Sequence, residues 1–90
     1  MLDHEMYELI QKRMQAILQE KIKGKINVSK DEHNFYIFIR TERFGDWRYT
    51  IYNVDEIDFN KVSSDSLANL VCKWHTNRVL DQFFVTNSPV

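Results

Sequence analysis

Residues 34–52 read NFYIFIRTERFGDWRYTIY, two runs in which large apolar and aromatic side chains stand at odd and even positions alike. A strand with one face in water alternates apolar with polar, so this hairpin raises the question of what covers its second face. The runs themselves predict strands at Phe35–Thr41 and Trp47–Val54, both rich in β-branched and aromatic residues. Between them ERFGD is a hairpin loop in which Gly45 supplies the positive φ that such loops need.

Outward from the hairpin, Lys25–Ser29 (KINVS) alternates, with Ile26 and Val28 on one face, and predicts a first strand ended by the polar turn KDEHN. Upstream, Leu2, Met6, Leu9, Ile10, Met14, Ile17, Leu18 and Ile22 recur at spacings of three and four, with acidic residues early and lysines late. That pattern predicts an amphipathic helix of about 20 residues, stopped by Gly24 as a C-terminal cap, with Arg13 snorkelling from its apolar side. Downstream, DEIDFNKV has turn or short helical character. SSDS then offers N-cap oxygens before Leu67, Leu70, Val71, Trp74, Val79, Leu80, Phe83 and Phe84, a second long helix with a bend expected near Thr76 and Asn77. TNSPV is a tail. The order α-β-β-β-α predicts an α+β fold, a three-stranded antiparallel meander packed with two long helices, as a single small domain over residues 1–90.

The period of two then sorts the strands into faces. Ile26, Val28, Phe35, Ile37, Ile39, Trp47, Tyr49 and Ile51 share a core face. Lys25, Asn27, Ser29, Tyr36, Phe38, Arg40, Arg48, Thr50 and Tyr52 share the other, aromatic at its centre and basic at one end. Three covers compete for this second face: a helix on each side of the sheet or a helix end draped over Phe38, a second copy of the chain or another protein, or single-stranded nucleic acid stacked on the aromatic rings. The nucleic-acid cover wants flanking cations along the phosphates, and Arg40 and Arg48 are joined by few others.

Composition narrows the classes. The chain has 90 residues, 43% hydrophobic and 28% charged, and twelve aromatic residues are a heavy apolar load for a domain of this size. A formal net charge of −1 argues against a generic nucleic-acid coat and against an acidic DNA mimic. The single cysteine, Cys72, cannot form an internal disulfide, and neither a secretory signal nor a run of about 20 apolar residues is present. The expectation is a cytoplasmic protein with no membrane partner. A chain rich in Ile, Lys, Asn and Phe and poor in Gly and Pro also resembles small phage or mobile-element proteins of AT-rich bacteria.

A meander gathers charge at its ends. Lys21, Lys23, Lys25, Arg40, Arg43 and Arg48 collect near one, with Glu42 and Asp46 among them, and Asp31, Glu32, Asp55, Glu56 and Asp58 collect near the other. The element order is similar to that of the double-stranded RNA-binding domain. There the loop between the first two strands and the start of the second helix hold RNA; here those stretches are DEHN and SSDS, placing Asp31, Glu32 and Asp65 where positive charge is wanted. The likeness is one of topology.

Catalytic and metal chemistry find little support. Cys72 and His75 lie one helical turn apart, but two ligands are too few for a metal, and Cys72 reads as a packed thiol and His75 as a surface residue. Asp55, Glu56 and Asp58 lack the calcium-loop pattern and read as a solvated turn. No phosphate loop or nucleophile elbow occurs. The sequence therefore predicts no enzyme and no cofactor. It predicts a protein-binding or accessory factor, homodimeric or joined to another protein, acting through Tyr36, Phe38, Arg40, Arg48 and Tyr52, with nucleic-acid binding at the same face as the alternative.

Overall fold

The computed structural model describes residues 4–84; the expected tail TNSPV and Leu2 lie outside them. Helix α1 spans His4–Lys21, strands β1, β2 and β3 span Lys25–Lys30, Phe35–Thr41 and Gly45–Ile51, and helix α2 spans Ser64–Val79. The strands form an antiparallel sheet in the order β1-β2-β3. The fold is thus α+β, in the order α-β-β-β-α.

All eight residues assigned to the core face are buried, and they join Ile10, Met14 and Leu18 of α1 and Leu67, Ala68, Val71 and Val79 of α2 in one cluster. Both helices therefore lie on the same side of the sheet, and a helix on each face is overturned. At this size one helical layer over one sheet face already uses the two apolar stripes that the helices carry. Ser63 caps α2 by accepting the Ser66 N–H at 3.1 Å, as the SSDS stretch leads one to expect.

Several boundaries depart from the sequence reading. Gly24 does not cap α1, which ends at Lys21. Its backbone runs so close to β2 that a Cβ would stand 2.4 Å from the carbonyl oxygen of Arg40, so glycine is required there by close approach. Strand β3 starts earlier, at Gly45 (φ 84°), and stops at Ile51. Asn53 takes a left-handed conformation (φ 54°), and the chain turns so that Val54 enters the core, fully buried, in a 3-10 turn over Val54–Glu56. The apolar Val54 reads as strand in sequence because burial in a turn and burial in a strand select the same residue types. Beyond Val79 the helix widens into a π-helical turn, Leu80–Phe84, and Phe83 packs on Phe44 and Trp47 with ring centroids 5.2 and 6.3 Å apart.

His75 is not a surface residue. It is buried, and Tyr49 Oη lies 2.8 Å from its Nδ1. A sequence reading that ranks histidine as polar misses this, because Leu67, Val71 and His75 share one stripe of α2 at four-residue spacing.

Candidate functional site

The second face of the sheet starts from Phe38, midway along β2. Its cross-strand neighbours are Asn27 on β1 and Arg48 on β3. The guanidinium of Arg48 lies 5.9 Å from the Phe38 ring centroid and that of Arg40 5.7 Å. Two cations thus flank one ring, within the range where the ring quadrupole attracts them. Arg40 is further held by Asp46, its partner on β3, at 3.4 Å. Phe38 is half-buried beneath these stems while Arg40 and Arg48 stay exposed.

Tyr36 is the second aromatic of the face. Its hydroxyl donates to Asp31 and accepts from Asn34 Nδ2 at 3.1 Å. Asp31 also accepts the backbone N–H groups of His33 and Asn34 at 2.9 and 2.8 Å. The Tyr36 hydroxyl and then these two amides hold the Asp31 carboxylate at a pKa of about 2, well below its ordinary range. Tyr36 is thereby fixed to the turn between β1 and β2. Tyr52 lies just past the end of β3 and is 70% exposed. The structure brings Phe38, Arg40 and Arg48 into one cluster, with Tyr36 along the same strand; no ring or cation contact joins Tyr52 to them.

At the basic end a recess of about 860 Å3 is lined by Lys23, Lys25, Arg40, Arg43 and Phe44, with Glu42 and Asp46 among them. At the other end His33 Nδ1 lies 3.1 Å from Asp55 Oδ2. The lengthwise sorting of charge follows from the meander.

The sequence reading missed how the two sheet edges differ. Along the edge formed by β1, Gln11 Nε2 donates to the Val28 carbonyl at 3.0 Å, Gln15 Oε1 accepts the Val28 N–H at 3.1 Å, and Gln19 Oε1 accepts the Ile26 N–H at 3.3 Å. Three glutamines at four-residue spacing on α1 thus close the outward groups of β1. The signal was present as Q-x-x-x-Q-x-x-x-Q beside the apolar stripe. Among the described residues, no hydrogen bond reaches the outward edge of β3.

Cys72 is half-buried, and burial pushes its thiol pKa up, away from the reactive thiolate. Among the described residues no three of His, Cys, Asp and Glu converge as a metal site, and no helix is long and apolar enough to cross a membrane. Comparison of the chain with models of protein families, with curated proteins and with solved structures finds no match.

Proposed function

We propose that this protein is a homodimeric binding module that takes a protein partner on the sheet surface carrying Tyr36, Phe38, Arg40 and Arg48. One observation carries the reading: both helices pack on the opposite face, so no described element covers an aromatic and arginine surface. Arginine and aromatic side chains dominate interface energetics because they bury much area while satisfying directed contacts. The role fits an accessory factor for a larger assembly.

The test is the light-scattering mass of the untagged chain across a tenfold dilution, for the wild type and for Phe38→Asp. A mass near twice the 10.9 kDa chain is expected. Phe38→Asp removes the ring that orders both guanidinia and sets a carboxylate beside Arg48 on the neighbouring strand, and through Arg48 it shifts the population toward monomer while its circular dichroism stays that of the wild type. A wild-type monomer that instead retains a single-stranded oligonucleotide at low salt, releases it as salt rises and loses it in Arg40→Glu/Arg48→Glu would replace this reading by nucleic-acid binding.

A further inference from the structure

The unequal edges of the sheet say where a second copy joins. In an antiparallel ladder the N–H and C=O groups of one residue point to one neighbour and those of the next residue to the other side. The glutamine contacts show that Ile26 and Val28 point outward from β1. Lys25, Asn27 and Ser29 therefore bond to Arg40, Phe38 and Tyr36, and Phe35, Ile37 and Ile39 bond to Ile51, Tyr49 and Trp47. That leaves Asp46, Arg48 and Thr50 pointing their backbone groups off the free edge of β3.

We infer that two copies of this chain pair β3 against β3 about a twofold axis at Trp47, giving one continuous antiparallel sheet with the Phe38 surface doubled. This rests on the homodimeric reading above and specifies its geometry. The register comes from charge. With the axis at Trp47, Asp46 of one copy lies opposite Arg48 of the other and each pair exchanges both of its backbone bonds, so opposite charges meet twice. An axis at Arg48 would set that arginine against itself, and like charges directly opposite destabilise a pair. Edges that resist pairing carry repelling charge, proline or a cover; β1 has its cover, whereas β3 has alternating charges that complement their own copy.

The helix side of the same edge supplies a second, independent observation. Phe44, Phe83 and Phe84 form an aromatic cluster beside Trp47, with Phe83 49% and Phe84 56% exposed. Pairing at Trp47 brings the two clusters alongside each other and removes apolar surface from water next to the new backbone bonds. Isologous pairing of this kind closes on itself and stops at two.

The experiment uses cysteine pairs in a Cys72→Ser background under mild oxidation. Mixing Asp46→Cys chains with Arg48→Cys chains is expected to give a disulfide-linked heterodimer, because the two positions face each other across the axis; either variant alone gives much less. A Phe38→Cys chain is expected to remain uncrosslinked, and a disulfide there would show stacked faces, overturning the edge geometry while leaving the homodimer intact. Charge reversal is the complementary arm. Asp46→Arg and Arg48→Asp each lower dimer affinity at least tenfold, and the double variant restores it. Failure of the double variant to recover, with folded monomers by circular dichroism, would overturn the register. Monomeric wild-type chain at every concentration would remove the homodimer and the edge geometry together.

Discussion

Protonation of His75 is opposed first by its burial and then by the guanidinium of Arg78, which also lies 5.3 Å from the Trp47 ring and 5.7 Å from that of Tyr49. With the imidazole neutral and protonated at Nε2, the Tyr49 hydroxyl donates to Nδ1. Burial likewise raises the Tyr49 pKa. A histidine whose folded pKa is depressed contributes stability that is complete above the unfolded value and is lost as pH falls through the folded one. Wild-type stability in urea is thus expected to decline as pH drops below about 6.5, the ordinary histidine value, and His75→Gln is expected to flatten that decline. An unchanged pH profile in the variant would show that His75 does not titrate on unfolding. His75→Ala should cost more, about 1–3 kcal/mol, because it orphans the buried Tyr49 hydroxyl. Asp31 acts in the other pH range. Its lowered pKa means that the turn it anchors is held above about pH 4 and released as pH falls toward about 2.

Among the elements, α1 serves two purposes that a single stripe of apolar residues would not reveal. Ile10, Met14 and Leu18 enter the core, and the adjacent row of Gln11, Gln15 and Gln19 bonds the edge of β1. Side-chain amides suit this task because each offers both a donor and an acceptor, and an open strand edge presents both. Gln15→Ala leaves the Val28 N–H without its partner and is expected to lower stability by about 0.5–1.5 kcal/mol in denaturant titration. Replacing all three by alanine exposes a second edge, and with β3 paired to a second copy as proposed, oligomers larger than a dimer are expected by light scattering; a triple variant that stays dimeric would show that the glutamines stabilise the strand without guarding it. The contact between Arg13 and Asp65 that joins α1 to α2 is exposed on both sides, at 3.1 Å, so it contributes little by comparison.

For the whole molecule, the polarity is set by one helical layer over one face of a small sheet. The buried apolar residues of both helices are committed to that side, while Met6 and Leu9 of α1, Leu70 of α2, and Leu80, Phe83 and Phe84 of the following π-helical turn stay exposed. On the homodimeric reading proposed above, the second copy binds the native chain alone, so the thermal midpoint is expected to rise with protein concentration. Calorimetry over a tenfold concentration range checks this, and a midpoint independent of concentration would count against dimer formation at those concentrations.

What the sequence determined by itself is the local order: five elements, the core face of every strand, the glycine at the hairpin turn and the serine cap of α2. These follow from periodicity and from backbone preferences of single residues, which act over a few neighbours. It also placed Tyr36, Phe38, Arg40 and Arg48 together, since strand alternation alone puts them on one face. Tertiary structure decided the rest. Whether a helix covers that face depends on which side each chain reversal takes, and both reversals here lead to the same side. The burial of His75, the close approach of Gly24 to Arg40 and the closed β1 edge beside the open β3 edge likewise arise between residues distant in the chain. No period within a single element encodes such meetings.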